Sequence, residues 1–488
     1  MAKKSLAANS IFNMAYKGFT ALFPLITTSY ISHVILPAGV GRVAYANTIA
    51  AYFVLVACLG LPSYGVKVIA QNNASEEERS RTFLELFSIN FTATVLCTAA
   101  YYLFVNTFAY FADKRQLLDV MGLMLILNVF NIDWFYQGME EYVYISVRSF
   151  IVKVASFGAM LLFVRDEDDY LIYALILCVA TAGNNLWNAW NLRNYISLRI
   201  PGGLRLNPGR HMRPVLILLA STIATEVYTM LDTVMLEYYF GDVPVGYYSN
   251  AAKVVRMVYT LVIALVAVFY PRISLCYKQK DQEAANDLLN RGTKILLLLA
   301  LPCTLGLFLT AEDVVPLLFG AEFSPAVSTL RLLCILILIF SLAYFLGHIV
   351  LTAAGLERMI LRATIAGAAV NVCANFALIP VLRQDGAAIA SVLSELAVTV
   401  ILLWHAGKFY RLKLGLHYAA TTAAALGLMA LAVIFLRALP VDSPNWVLAV
   451  ITGAAAVYFG GLLVLGNEVA GELWRKLRGM LEKVRGER

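Results

Sequence analysis

Charge is what this chain has least of. Only 14% of its 488 residues are Asp, Glu, Lys or Arg, where a soluble globular chain carries roughly a quarter. Histidine is scarcer still, with five in all. The cysteines, Cys58, Cys97, Cys178, Cys276, Cys303, Cys334 and Cys373, stand singly in or beside apolar stretches. Without a C-x-x-C pair or a Cys/His cluster they give neither a disulfide framework nor a zinc site, and they read as small packing residues. No G-x-x-x-x-G-K-[ST] loop is present, which excludes a Walker-type nucleotide site. No polar stretch is long enough to fold as a soluble domain. The acidic run Asp166-Glu167-Asp168-Asp169 sits in a short loop and reads as a solvated turn. A membrane enzyme with a catalytic outer loop has no room here, so a non-enzyme is expected.

What the chain does have is apolar length: 60% of it is hydrophobic. Stretches of roughly 20 residues, enough to cross a bilayer, recur between short polar breaks. About 14 are read, near 11–36, 43–70, 82–107, 117–137, 143–164, 169–192, 212–239, 246–271, 292–311, 326–354, 358–381, 385–409, 413–437 and 445–466. The N-terminal segment runs past Pro24 without a small-residue cleavage site and is expected to be a retained first helix. Basic residues gather on one set of ends: Lys3, Lys4, Arg79, Arg81, Arg193, Arg210, Arg213, Lys278, Lys280, Lys408, Arg411 and the tail. The opposite loops are acidic, with Asp242, Glu312-Asp313 and Asp385. By the positive-inside rule both termini are cytoplasmic and the number of spans is even. The net charge of +7 therefore needs no nucleic acid to explain it. In the tail, Leu473, Leu477, Met480 and Val484 share a helical face opposite basic residues, a pattern that lies on the inner leaflet.

The chain also repeats. A shift of 205 positions places Lys17, Thr20, Thr27 and Thr28 on Thr222, Thr225, Asp232 and Thr233. The same shift places Val40-Gly41 on Val245-Gly246 and Lys67 on Arg272. Six crossings return a chain to its starting side, so the repeat describes two parallel six-helix bundles, a transporter logic that sets the site near the midplane. The expected fold is all-α: residues 1–211 and 212–411 as two pseudo-symmetric bundles, 412–466 as two further spans, and 467–488 as an amphipathic tail.

Charges inside spans are expensive and point to function. Lys17, Lys153, Lys253 and Arg256 are the deep cations, and the last two share a helical face. Arg148 lies near Lys153, where Asp133 at the end of the fourth span offers a neutralising partner. The seventh span carries Thr222, Thr225, Glu226, Thr229, Asp232 and Thr233, mostly on one face. Such a stripe serves either helix–helix hydrogen bonding or the wall of a hydrated cavity, and two carboxylates favour the cavity. Asn184, Asn188 and Asn191 line one face of the sixth span beside Trp187 and Trp190. His348 reads as a packed interior histidine. Cations outnumber carboxylates on these faces, which implies an anionic ligand, with phosphate the natural match for Lys and Arg.

Several segments carry a family likeness: Phe23-Pro-Leu-Ile-Thr-Thr-Ser-Tyr-Ile-Ser32, Gly60-Leu-Pro-Ser-Tyr-Gly-Val-Lys67, Asp133-Trp-Phe-Tyr-Gln-Gly-Met-Glu140, Leu231-Asp-Thr-Val-Met235, Val245-Gly-Tyr-Tyr-Ser249, Leu318-Phe-Gly-Ala-Glu-Phe323 and Asp385-Gly-Ala-Ala-Ile-Ala390 through Glu395. With these the chain resembles the polysaccharide transporter family of Wzx-type lipid-linked oligosaccharide (O-antigen) flippases, of the superfamily that also holds the MATE exporters and the MurJ flippases. Two departures stand out, His33 and Lys67 where relatives usually carry Arg. The resemblance implies a flippase in the bacterial cytoplasmic membrane. It would move an undecaprenyl-pyrophosphate-linked glycan to the outer leaflet for surface polysaccharide synthesis. Membrane lipids and a polysaccharide polymerase are its implied partners, and it acts as a monomer. The expected mechanism is alternating access, with Lys17, Lys153, Lys253, Arg256 and Arg148 meeting the pyrophosphate. Thr222, Thr225, Thr229, Asp133 and Asn188 add polar wall. No cofactor or metal is expected. The drive comes from the membrane potential or from H+ or Na+ through Glu226 or Asp232. The rival expectation is a MATE-like ion-coupled exporter of small molecules, which would want a net acidic chamber.

Overall fold

The computed structural model describes residues 6–73, 75–197, 206–408, 410–439, 441 and 444–486. Side chains are described from Phe23 onward, apart from residues 221, 224, 225, 227–229, 444, 445, 477 and 480–486. Among the described residues every regular element is helical. Eleven segments are long and apolar enough to cross a membrane, and the chain is a multi-pass membrane protein. Two of the long helices break in the middle. Helix α1 (Leu6–Cys58) has Leu36 at φ 57°, directly before Pro37. A straight helix of its 53 residues would run about 80 Å, far beyond a hydrocarbon core of about 30 Å. Each arm is therefore one span. Helix α13 (Glu357–Ala406) breaks in the same way at Arg383, φ 53°. Together with α8 (Gly209–Phe240), a 32-residue helix, these breaks account for the expected fourteen spans.

The chain divides into two compact units, Met1–Ser249 and Asn250–Arg488. The first holds α1, α2 (Leu61–Gln71), α3 (Glu76–Thr107), α4 (Arg115–Asn128), α5 (Asp133–Gly138), α6 (Tyr142–Phe163), α7 (Tyr170–Leu192), α8 and the first turns of α9 (Asp242–Val266). Local chemistry sets the boundaries. Ser75 caps α3 by accepting from the Glu78 N–H, and Glu76, Glu77 and Glu78 fill the first turn, where the helix dipole favours negative charge. The second span is interrupted at Leu59–Gly60, both at positive φ, and α2 restarts with a proline in its first turn. At that end Leu61, Ile69, Phe83, Leu86, Trp134, Phe135 and Val215 form a core. The Trp134 ring stacks on Phe83 at 5.7 Å. The Asp-Trp-Phe-Tyr motif is thus mostly packing, with its acidic residue left for a polar site.

The second unit holds the rest of α9, then α10 (Tyr270–Lys278), α11 (Gln282–Phe319), α12 (Ala326–Tyr344), α13, α14 (Leu416–Arg437), α15 (Pro444–Val464) and α16 (Glu468–Gly486). Asp281 caps α11 by accepting from the Ala284 N–H. A short π-turn, Phe345–Leu351, extends α12. One core gathers Leu289, Leu296, Phe345, Ile349, Val398 and Leu402. A second, with Leu298, Tyr418, Met429 and Tyr458, fastens α14 and α15 to α11. The tail helix α16 is tied to α11 by ion pairs from Arg291 to Glu472 and from Lys294 to Glu468. Its face at Leu477, Met480 and Val484 lies outside the described side chains. His348 is not interior: it is exposed on the π-turn, with its ring 5.0 Å from that of Tyr344. The wider π-turn rotates it away from the packed face that a regular helical period assigns to it.

Candidate functional site

Helix α8, the seventh span, is clasped to the rest of the first unit at both of its ends. At the acidic end, Glu237 closes α8 and Asp242 opens α9. Lys114, at the end of a 3-10 turn over Ala109–Lys114, bridges both carboxylates: it donates to Glu237 and, at 2.6 Å, to Asp242. Arg42, just past the α1 break, donates to Asp242 at 3.1 Å. The Tyr110 hydroxyl donates to Glu237, and Lys114 Nζ lies 5.0 Å over the Tyr45 ring. Two cations meet two carboxylates, so the cluster is neutral as a whole. Glu237, Asp242 and Lys114 keep only 7%, 14% and 18% of their side-chain surface, while Arg42 keeps 41%.

Backbone contact reinforces this latch. A Cβ on Gly41 would overlap the carbonyl of Asp242, and one on Gly246 would overlap the carbonyl of Pro37. The two glycines are the pair related by the 205-residue shift. A reciprocal close approach thus joins the α1 break to the α8–α9 turn, possible only where neither residue has a side chain.

At the basic end, Glu85 of α3 is almost fully buried. It accepts from Arg210 at 2.6 Å, from the Asn207 N–H at 2.9 Å and lies 2.9 Å from His211 Nε2. His211 Nδ1 is 2.8 Å from the Tyr64 hydroxyl. The first turn of α8 is so held to α2 and α3 through one carboxylate. The sequence alone marks Asp242 and Arg210 one by one, as charges at helix ends, and does not single out Lys114 or Arg42. The available signal was that these two are basic residues on otherwise acidic ends.

The residues singled out from sequence fall in different places. Lys17 lies in α1, but its side chain is outside the described residues, as are those of Thr225 and Thr229. Lys153 is half-buried on α6. Arg148, one turn away, is buried and donates to Asp133 at 2.8 Å and to Asn184 at 3.1 Å. Asn188 donates to the same Asp133 oxygen at 2.6 Å. Arg148, Asp133 and Asn188 therefore form one polar knot, in which Arg148 Nη1 and Asn188 Oδ1 have no hydrogen-bond partner among the described residues. Asp232 is buried and accepts from the Tyr248 hydroxyl. Glu226 is half-buried, and Thr222 is exposed with its hydroxyl turned back to the Leu218 carbonyl. In the second unit, Lys253 and Arg256 are exposed on one face of α9, and neither has an ion-pair partner among the described residues. His33 is exposed and bonds the Ser29 carbonyl. No group of three or more His, Cys, Asp or Glu able to hold a metal occurs among the described residues.

Residues 6–276 match the family described as polysaccharide biosynthesis protein. The chain belongs to that family. The membership expected from the sequence motifs is thereby borne out, and residues 218–377 also match the MatE family. A protein of Escherichia coli (strain K12) named as an O-antigen transporter is 21% identical over 412 residues, covering 82% of this chain and 96% of that protein. One from Haloferax volcanii, named as a low-salt glycan biosynthesis flippase, is 23% identical over 193 residues, covering 40% of this chain and 41% of its own length. Among solved structures, the lipid II flippase MurJ in an inward closed conformation superposes with a TM-score of 0.76 at 14% identity, covering 96% of this chain and 99% of that one. An inward-facing MATE transporter of the MOP superfamily gives 0.61 at 16% identity, covering 80% and 94%. At such identities the structural likeness speaks for the fold, which is that of the MOP superfamily as expected.

Proposed function

We propose that this protein is a non-enzymatic flippase that carries a lipid-linked glycan from the inner to the outer leaflet of a bacterial cytoplasmic membrane. The observation that carries this reading is the family match over residues 6–276, in a chain whose relatives are named as an O-antigen transporter and a glycan flippase. The finer substrate we assign is undecaprenyl-pyrophosphate-linked oligosaccharide. Cations in spans, Lys17, Lys153, Lys253 and Arg256, meet the pyrophosphate, and the Arg148–Asp133–Asn188 knot offers hydroxyl-matching groups to the glycan. The lack of ion-pair partners for Lys253 and Arg256 among the described residues supports their availability to an anion.

Translocation proceeds by alternating access. The Lys114 latch and the Glu85 clasp part in turn, so that α8 leaves its neighbours first at one end and then at the other. No nucleotide is required. With both termini cytoplasmic, an inside-negative potential of about 100 mV favours outward movement of each negative charge by about 2.3 kcal/mol, and of a doubly charged headgroup by about twice that. A proton or sodium ion at Glu226 or Asp232 is the second source of drive. Expression in a cell deleted for its own flippase tests the reading. Surface glycan returns with the wild-type chain and is lost with Lys17→Ala or Lys253→Ala at equal protein level. Full return in both variants would remove the cations from the mechanism.

The MatE match over residues 218–377 supports one second reading, an ion-coupled exporter of small molecules. Drug resistance conferred by the chain without any surface glycan would favour it.

A further inference from the structure

Beside the Glu85 clasp, the first unit has a cleft of about 550 Å³ between the second arm of α1, α3 and the start of α8. This is in the range of clefts that bury small ligands. Its walls are Val56, Ile89, Ala93, Leu96, Pro208 and Met212. Ser88 and Thr92 also line it, but their hydroxyls donate back to the carbonyls of Glu85 and Ser88 on their own helix. The surface offered is therefore apolar. Leu96 and Met212 remain 65% and 36% exposed, so the cleft is open along one side.

Two arginines stand next to lining residues at one end of this cleft. Glu85, one helical turn before Ser88, holds the Arg210 guanidinium at 2.6 Å, which puts that charge about a turn from the lining. Arg210 keeps 49% of its side-chain surface. Arg213 is exposed, has no ion-pair partner among the described residues, and follows the lining residue Gly209 by four positions. An apolar slot open along one side, with two arginines close to one end, matches a chain-bearing phosphate.

We propose that this cleft is an entry site that holds the first isoprene units of the lipid-linked substrate, with its phosphate at Arg210 and Arg213 before it passes to the deeper cations. The inference rests on the flippase reading and deepens it. An arriving phosphate competes with Glu85 for Arg210, so seating the lipid loosens the clasp at the start of α8.

The test uses the purified full chain and a photoactivatable isoprenyl phosphate that carries no glycan. The expected result is labelling within residues 88–97 and 208–213, reduced at least about tenfold, or about 1.4 kcal/mol, by Ala93→Trp and by Arg213→Ala. In the wild-type chain the isoprenyl phosphate should also protect Cys97, which lines the cleft, from alkylation, a readout that needs no variant. Labelling spread over the lipid-facing surface, or equal competition by phosphatidylglycerol, overturns the proposal. The two readings can fail separately. Export intact in Ala93→Trp would overturn the cleft and leave the flippase standing. Cleft labelling in a chain that moves no glycan would sustain the cleft and sink the flippase reading.

Discussion

Lys114 is the most informative residue to remove. Among the described residues it alone pairs with both Glu237 and Asp242, and it keeps 18% of its side-chain surface. Lys114→Ala leaves Glu237 with the Tyr110 hydroxyl and Asp242 with Arg42. Breaking a fully buried ion pair by deleting one partner costs about 3–5 kcal/mol. The partial exposure of this site and the remaining partners reduce that to roughly 2–3 kcal/mol. The penalty falls only on the latched arrangement, so the latched-to-open ratio should drop about 30- to 150-fold. A cysteine placed at Val40, which is 4% exposed beside the Gly41 contact, reports it. In a background without the native cysteines, a membrane-impermeant maleimide added to intact cells should label Val40→Cys at least about 30-fold faster when Lys114 is Ala. The conservative Lys114→Arg, which keeps a cation between both carboxylates, should keep labelling slow. Equal rates with and without Lys114, in protein that is correctly inserted, would refute the idea that this cluster closes the acidic end.

Other consequences are local. Glu85→Gln removes the charge that Arg210 and the Asn207 N–H share, and should lower stability in detergent by about 2–3 kcal/mol; an unchanged melting temperature would contradict the clasp. Gly41→Ala forces a methyl into the Asp242 carbonyl and should cost about 1–3 kcal/mol or more, speeding labelling at the acidic end as Lys114→Ala does. Arg148→Ala strands Asp133 with Asn188 as its remaining partner in the knot and should destabilise by about 2–4 kcal/mol, whereas replacing both Arg148 and Asp133 by apolar residues should be milder in a stability assay.

The fold was largely legible because in a bilayer every backbone polar group must be satisfied within a helix. Apolar length alone then gives the spans, and even the folding back of α1 and α13 follows from runs too long for one crossing. Gly41 and Gly246, which the 205-residue shift matches in the sequence, meet at one junction. The latch was not legible. Lys114 sits 123 positions from Glu237 and 128 from Asp242, and beyond its being basic at an acidic end nothing local points to these partners. Glu85 shows the same limit: alone on α3 it reads as a lone span carboxylate, and only packing reveals Arg210, His211 and Asn207 around it. Arg148 and Asp133 were readable as neighbours because only 15 positions separate them, the short α5, a turn and the start of α6.

Transport of the substrate itself remains the most direct measurement. The purified chain is reconstituted into vesicles with an undecaprenyl-pyrophosphate-linked glycan, and a glycosidase on one side reads how much of the glycan has crossed. The account predicts that crossing requires the protein, quickens when a potential positive on the receiving side is imposed, and falls to background in Lys253→Ala. Crossing that the protein does not accelerate, with the clasps and spans intact, would contradict it.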